Sequence, residues 1–184
     1  MSADRELKIV FTGPMGAGKT TAIRAISDTA PVSTEVANTD QAAHAKATTT
    51  VALDYGQLLL EDGTAVSLYG TPGQERFSFM WEILCRGAIG VILLIDGSAA
   101  TALQDLQTYA GTFHRINLNQ PLVIGVGRSG DCLLDEYTKT LVGRGIVAPV
   151  FSVDVRERAD VLLLIETLLC VVEAQSFEHQ HAAN

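Results

Sequence analysis

Basic residues are scarce in this chain, and cysteine is scarcer still. The 13 lysine and arginine residues stand against 21 aspartates and glutamates, so the formal net charge is −8 at pH 7. A surface of that sign repels phosphate backbones, which argues against a nucleic-acid partner. The 3 cysteines, Cys85, Cys132 and Cys170, are odd in number and widely spaced. Such spacing fits separate thiols in a reducing compartment better than disulfides or a metal site.

Long apolar runs, a leader and lipidation signals are also missing. No apolar run reaches the ~20 residues that a membrane helix needs. The first six residues lack a signal-peptide pattern, and Ser2 stands where myristoylation requires a glycine. Residues 181–184 contain no prenylation cysteine. We therefore expect a cytoplasmic protein without a lipid anchor.

What the chain does have is a 47% hydrophobic content, arranged in apolar runs that alternate with amphipathic stretches. This alternation predicts an α/β domain with a six-stranded, mainly parallel sheet and five helices on both of its faces. Strands are predicted at 7–12, 50–60, 64–69, 88–95, 121–126 and 146–152, and helices at 19–26, 78–86, 101–115, 132–142 and 158–174. The turn Asp62-Gly63 makes one antiparallel hairpin, and residues 29–47 are predicted to form a long surface loop. We divide the chain into an N-terminal arm (1–6), one domain (7–174) and a flexible C-terminal tail (175–184).

A phosphate-binding motif of the form G-x-x-x-x-G-K-S/T occupies residues 13–20. It follows the first predicted strand and opens the first predicted helix, where backbone amides and the helix dipole point at an anion. Lys19 would place a positive charge at the outer phosphates, and the Thr20 hydroxyl can ligate Mg²⁺. The predicted phosphate contacts come from Gly13, Met15, Gly16, Ala17, Gly18, Lys19, Thr20 and Thr21.

Two further segments lie downstream of the phosphate-binding loop (P-loop). Residues 50–55 read T-V-A-L-D-Y, and residues 70–77 read G-T-P-G-Q-E-R-F. They resemble the T-I-G-V-D-F and D-T-A-G-Q-E-R-F switch segments of the Ras superfamily of small GTPases. The G-T-P-G-Q stretch is most similar to prokaryotic MglA-like proteins and related bacterial P-loop GTPases. The resemblance implies a Ras-like fold and a molecular switch that binds GTP or GDP with Mg²⁺.

The same resemblance implies roles for individual residues. Thr50 would close over Mg²⁺ and the γ-phosphate, the Gly73 amide would donate to the γ-phosphate, and Gln74 would orient the attacking water. With Lys19, Gln74 is the predicted catalytic residue, and Thr20 and Thr50 are the predicted metal ligands. The alternative without a functional role is a threonine at the edge of a strand for Thr50 and a surface glutamine for Gln74. Thr48 or Thr49 could also fill the role assigned to Thr50.

The chain departs from the family pattern at three places. Gly70 stands where the family has the Mg²⁺-holding aspartate, so we expect this chain to bind Mg²⁺ more weakly and to exchange nucleotide faster than a typical family member. Gly70→Asp should then slow nucleotide release. Met15 stands where Ras has a glycine, close to where the arginine finger of a partner inserts. Its side chain could exclude such a finger, and an arginine of this chain, Arg76 or Arg86, would then have to take over that role. The base-recognition motif N-K-x-D is replaced by G-R-S-G-D at 127–131.

The base would therefore be held by other groups. Arg128 could lie along the base, Asp131 could read guanine or instead cap the following helix, and Val153 falls in the last motif. A cluster of Phe77, Phe79, Met80 and Trp81 suits either core packing or a partner surface that forms in one nucleotide state. The resemblance implies a roadblock-domain protein as that partner.

Three functions compete at this stage. The first is a switch that hydrolyses GTP slowly to GDP and phosphate. The second is a pseudo-GTPase binding module with weak, absent or non-guanine nucleotide binding, which the glycine at position 70 and the altered base motif favour. The third, a small-molecule kinase or ATPase, is disfavoured because the chain has no arginine-rich lid segment.

Overall fold

The computed structural model describes residues 7–30, 32–37, 50–116, 120–130 and 134–182. Its strands are β1 (Leu7–Thr12), β2 (Val32–Ala37), β3 (Thr50–Leu59), β4 (Ala65–Gly70), β5 (Gly90–Asp96), β6 (Leu122–Gly127) and β7 (Val150–Val153). Its helices are α1 (Lys19–Ile26), α2 (Ser78–Cys85), α3 (Ala102–Ile116), α4 (Leu134–Val142) and α5 (Arg158–Ala182), and a short 3₁₀ turn over Glu75–Phe77 precedes α2.

One sheet of seven strands in the order β2-β3-β4-β1-β5-β6-β7 runs through the protein. Strands β4, β1, β5, β6 and β7 pair in parallel, whereas β3 is antiparallel to both of its neighbours. All six predicted strands form, and the predicted α/β class of P-loop NTPase type is confirmed. The P-loop follows the C-terminal end of the central strand β1, which is the edge where such sheets bind ligands.

The seventh strand, β2, lies inside the region that the sequence predicts as a loop. Residues 32–37 pair antiparallel with β3, in register from Val32 opposite Tyr55 to Ala37 opposite Thr50. The prediction of an uninterrupted loop over 29–47 is therefore wrong. An edge strand takes its hydrogen bonds from a single neighbour, so it can form without the alternating apolar pattern that marks half-buried strands.

The core consists of two layers, one on each face of the sheet. Helices α1 and α5 cover one face with side chains such as Ile23, Ile26 and Leu164. Helices α2, α3 and α4 cover the other face, where Trp81 and Phe113 are among the buried side chains. Burying one large apolar side chain contributes about 1.5–3 kcal/mol, so the two layers hold the central strands rigidly. The predicted placement of five helices on both faces is confirmed.

The β3–β4 hairpin sets the register that matters most for the site. Gly63 takes a φ of +83°, and the Thr64 amide donates a 2.9 Å hydrogen bond to Asp62 Oδ1. From this turn the pairing runs pair by pair to Asp54, which lies opposite Gly70 at the end of β4. The hairpin therefore brings an acidic residue of β3 to the ligand-binding edge of the sheet.

Helix α5 continues to Ala182, beyond the end at 174 that the sequence predicts. Among the residues that the structure describes, no helix is both long and apolar enough to cross a bilayer.

Candidate nucleotide-binding site

Three glycines give the P-loop its shape. Gly13, Gly16 and Gly18 have φ values of +133°, +85° and +94°, a region that side chains strongly disfavour. A Cβ on Gly13 would lie 2.0 Å from the Leu94 carbonyl oxygen, and one on Gly18 would lie 2.7 Å from Val155 Cγ2. The motif glycines at these two positions are thus required by close approach as well as by backbone conformation.

Lys19 folds back over the P-loop. Its ammonium donates hydrogen bonds to the carbonyl oxygens of Gly13 (2.7 Å) and Pro14 (2.8 Å), and the residue is only 8% exposed. Burial lowers the pKa of Lys19 to about 8, and the negative charge of Asp54 partly offsets that shift. A desolvated ammonium beside the start of α1 is suited to bind the phosphates of a nucleotide.

The Thr20 side chain contacts an acidic residue that the sequence analysis missed. Thr20 Oγ1 donates a 2.5 Å hydrogen bond to Asp54 Oδ2. Gly70 offers no side chain here, and a Cβ built on it would lie 3.2 Å from the same carboxylate oxygen. The third predicted participant, Thr50, begins β3, but its side chain is outside the described part, so its role stays a prediction.

The loop of residues 71–74 (the 71–74 loop) is held between the P-loop and the second layer of helices. The Trp81 indole donates a 3.0 Å hydrogen bond to the Pro72 carbonyl, and the Tyr109 hydroxyl donates a 2.8 Å bond to the Gly73 carbonyl. In a trans peptide the N–H lies opposite the C=O, so the Gly73 N–H points away from Trp81. Gly73 itself lies against the P-loop, since an added Cβ would be 2.6 Å from Met15 N.

Gln74 lies beside Met15 of the P-loop. Gln74 Nε2 lies 3.9 Å from the Met15 sulfur, and Met15 is 75% exposed. Arg86, one of the two proposed internal arginines, accepts a hydrogen bond through its carbonyl from Lys8, near the start of β1. It therefore lies at the opposite end of the sheet from the P-loop, and its proposed role is wrong. The other, Arg76, is exposed beside the Phe77 ring.

Two cavities flank the P-loop. One, of about 440 Å³, is lined by Met15, Gly16, Gly18, Lys19, Thr20, Thr21, Asp54, Thr71, Pro72 and Gly73. The other, of about 500 Å³, is lined by Gly16, Ala17, Gly18, Thr21, Asp96, Gly127, Arg128 and residues 153–156. Most of the predicted nucleotide contacts, Val153 among them, thus line one or both of these cavities, which share Gly16, Gly18 and Thr21. Gly13 lines neither cavity, and its carbonyl oxygen accepts a hydrogen bond from the Lys19 ammonium.

Arg128 lines the larger cavity and contacts two other residues of its lining. It adopts a positive φ of 50°, and its Nη2 lies 2.7 Å from the Gly16 carbonyl oxygen and 3.1 Å from Asp96 Oδ2. Asp154, which lines the same cavity, is paired with Arg156, whose hydrogen bonds lower the pKa of that carboxyl to about 2. Asp131, the predicted base reader, lies outside the described residues.

The aromatic cluster after the 71–74 loop divides into buried and exposed members. Trp81 is buried, with its ring 4.8 Å from that of Tyr109 and 5.4 Å from that of Phe113. Phe79 and Ile83 are 58% and 59% exposed. Trp81 therefore serves the core and the 71–74 loop, while the exposed pair forms an apolar surface on α2.

With this geometry in place, the chain can be compared with known proteins. Residues 30–138, more than half of the chain, match a family described as a conserved hypothetical ATP binding protein. The chain belongs to this family. Over 100 residues it is also 32% identical to an uncharacterized protein of Methanocaldococcus jannaschii, a match that takes 54% of this chain. The chain covers 57% of that archaeal protein's length.

Membership of this ATP-binding family corrects the sequence analysis. Neither the family nor the archaeal relative is described as a Ras-superfamily or MglA-like protein, and the family described is an ATP-binding one, so the assignment to those GTPases is wrong. The misleading signal was local, because the G-T-P-G-Q stretch and the T-V-A-L-D-Y strand are short segments. Nucleotide binding itself is upheld, since the family description and the P-loop geometry agree on it.

Proposed function

We propose that this protein is a slow, Mg²⁺-dependent nucleoside triphosphatase whose 71–74 loop responds to the γ-phosphate. The observation that carries the proposal is the position of Gly73, held by Tyr109 and pressed against the P-loop backbone beside Met15. A γ-phosphate bound in this cavity would draw the Gly73 amide toward it, and a diphosphate would not. That difference is what a nucleotide-dependent switch requires.

In this proposal the reaction is in-line attack of water on the γ-phosphate. Lys19 neutralises charge on the transferred group, and Gln74, beside Met15 of the P-loop, orients the water. Bound Mg²⁺ would supply further charge neutralisation at the phosphates, and the hydroxyl of Thr20 beside a carboxylate offers oxygen donors that suit it. Among the described residues that line this cavity there is no arginine. An arginine finger is worth roughly 10³–10⁵ in kcat, so we expect slow intrinsic turnover.

The preferred base is proposed to be guanine. Guanine presents two neighbouring donors on its Watson–Crick edge, which a carboxylate can accept together, and Asp131 follows directly on the loop that carries Arg128. The family description names ATP instead. The binding experiment therefore includes both bases.

Trp81 fluorescence tests the binding step, because the indole donates to Pro72 and reports on the 71–74 loop. The protein is titrated with GTP, GDP, ATP and ADP, with and without Mg²⁺. We expect a change specific to the triphosphate and an affinity for guanine nucleotides higher than for adenine ones. Equal responses to the two bases would refute the guanine preference alone. Absence of any binding would favour the pseudo-enzyme alternative, a module that acts through its surface.

Hydrolysis is tested by phosphate release under single-turnover conditions. Gln74→Leu should reduce the rate by at least tenfold while nucleotide affinity stays within about twofold, because Gln74 lies beside the P-loop and orients the water in this proposal. Gln107→Leu, on α3, is the matched control and should behave as the wild type. Wild-type turnover in Gln74→Leu would remove Gln74 from the mechanism.

A switch needs a protein partner, and we propose the exposed pair Phe79 and Ile83 as part of its docking surface. The roadblock-domain partner depended on the Ras-superfamily resemblance and is not carried forward. The cytoplasmic location remains a proposal from the sequence.

A further inference from the structure

We infer that Asp54, reaching across the hairpin from β3, provides the Mg²⁺-binding carboxylate that position 70 lacks. P-loop NTPases ordinarily hold Mg²⁺ with the Ser or Thr of the P-loop and an aspartate at the end of a neighbouring strand. Here that strand end is Gly70, and the acidic group comes from the residue paired with it. The inference rests on the proposed Mg²⁺-dependent nucleotide binding.

The first support is the contact with Thr20. The Thr20 hydroxyl donates a 2.5 Å hydrogen bond to Asp54 Oδ2, and Thr20 is the residue that the P-loop motif assigns to Mg²⁺. A hydroxyl oxygen keeps both of its lone pairs while its O–H donates a hydrogen bond. Thr20 can therefore bind a cation through a lone pair while its O–H donates to Asp54, and this hydrogen bond would fix the orientation of the hydroxyl.

The second support is the space at Gly70. A Cβ on Gly70 would lie 3.0 Å from Asp54 Cβ and 3.2 Å from Asp54 Oδ2. The carboxylate of Asp54 thus lies beside the position where the first side-chain atom of residue 70 would be. Aspartates at both position 54 and position 70 would crowd each other, so the glycine at position 70 leaves space for the Asp54 side chain.

The third support is the chemistry of the cavity. Asp54 is the acidic residue among the described residues that line the cavity beside the P-loop lysine. No group of three or more His, Cys, Asp or Glu residues that could hold a metal occurs in the described ranges. Mg²⁺ does not need one, since it takes one or two protein groups together with substrate phosphates and water.

The inference reverses the expectation for Gly70→Asp. With Asp54 present, the new side chain would press against Asp54 Cβ and Ile23, as the 3.0 and 3.2 Å distances indicate. We expect Gly70→Asp alone to weaken Mg²⁺-dependent nucleotide binding. The double variant Asp54→Gly/Gly70→Asp moves the carboxylate to the paired strand and removes the clash with Asp54, leaving only the contact with the end of the Ile23 side chain, so it should recover part of the binding.

The experiment measures release of a fluorescent nucleoside diphosphate in Mg²⁺ and in excess EDTA. In the wild type, EDTA should accelerate release. In Asp54→Asn, release in Mg²⁺ should be 10- to 100-fold faster than in the wild type and close to its own rate in EDTA, a loss of the size seen when partners of a metal site are removed. The apparent affinity for Mn²⁺ of the diphosphate-loaded protein, read by electron paramagnetic resonance, should fall by at least tenfold.

Matched variants separate this loss from unfolding. Glu61→Gln removes an exposed acid near the turn of the same hairpin and should release nucleotide as the wild type does. The double variant should show a larger EDTA effect than Asp54→Gly alone, which a merely structural role of Asp54 would not produce. Wild-type Mg²⁺ dependence in Asp54→Asn would overturn the inference and leave the proposed function standing. A wild type whose nucleotide release ignores Mg²⁺ would overturn both.

Discussion

The Tyr109 hydroxyl, on helix α3, donates a 2.8 Å hydrogen bond to the carbonyl oxygen of Gly73, on the 71–74 loop. The tyrosine ring is fixed in turn by its contact with Trp81, which binds the neighbouring carbonyl of Pro72. Two side chains from the core thus hold consecutive peptide groups of the loop that faces the proposed γ-phosphate. Orientation of the Gly73 amide is therefore a property of the helix packing.

Removing only the Tyr109 hydroxyl should weaken the response to the γ-phosphate. A hydrogen bond of this kind contributes about 0.5–1.5 kcal/mol, so Tyr109→Phe should reduce the affinity ratio of triphosphate to diphosphate by about 2- to 10-fold. Binding titrations of both nucleotides give the ratio. Tyr55→Phe, which loses a 3.3 Å contact with Ser67 on the hairpin, is the control and should keep the wild-type ratio. An unchanged ratio in Tyr109→Phe would show that the bond does not position the loop.

Gly73→Ala should separate the 71–74 loop from the P-loop. The added methyl group would lie 2.6 Å from Met15 N and 2.8 Å from Met15 Cα, and backbone atoms cannot move aside cheaply. We expect diphosphate affinity to change by less than about threefold while the triphosphate-specific Trp81 signal disappears. Gly111→Ala, on α3, meets nothing closer than 3.7 Å and should preserve the signal. A Gly73→Ala protein that still distinguishes the two nucleotides would contradict the proposed role.

Nucleotide affinity should fall with rising pH through the titration of Lys19. Burial lowers its pKa to about 8 in the ligand-free protein, so the ammonium is charged well below that pH and loses its proton above it. Affinity for a diphosphate should therefore be constant up to about pH 8 and then fall by up to tenfold per pH unit. Isothermal titration between pH 7 and 9 measures this slope. Lys19→Arg, whose guanidinium stays charged, should bind more weakly but with a flat profile, and a flat wild-type profile would refute the prediction.

Arg128 permits a test that separates backbone strain from ligand contact. Its φ of 50° is unfavourable for any residue other than glycine. Arg128→Gly should therefore be more stable than Arg128→Ala, by about 1 kcal/mol in chemical denaturation. Both variants lose the guanidinium that reaches Gly16, so both should bind nucleotide more weakly by a similar factor. Tighter binding in either variant would mean that Arg128 obstructs the cavity.

Part of this site could be predicted from sequence because the determinants are local. The P-loop carries its glycines, lysine and threonine within eight residues, and the motif places them between a strand and a helix whatever the rest of the chain does. The turn at Gly63 is equally local, but the register of the hairpin is not: a two-residue turn at Asp62-Gly63 would put Asp54 opposite Thr71, whereas the structure pairs it with Gly70. Asp54 itself could be noticed from the sequence, as an acidic residue within a predicted strand. Strand β2 could not, since its pairing with β3 carries little local signal.

What the sequence by itself determined is the class of the fold and the existence of a phosphate-binding loop, since hydrophobic periodicity and glycine geometry act over a few residues. The tertiary structure alone decided which side chains complete the site. Trp81 and Tyr109 belong to the apolar faces of two helices, yet their polar atoms reach Pro72 and Gly73 only because those helices pack on the same face of the sheet. Arg128 reaches Gly16 across 112 positions of the chain. Contacts of this range depend on how the layers pack, and no local pattern encodes them.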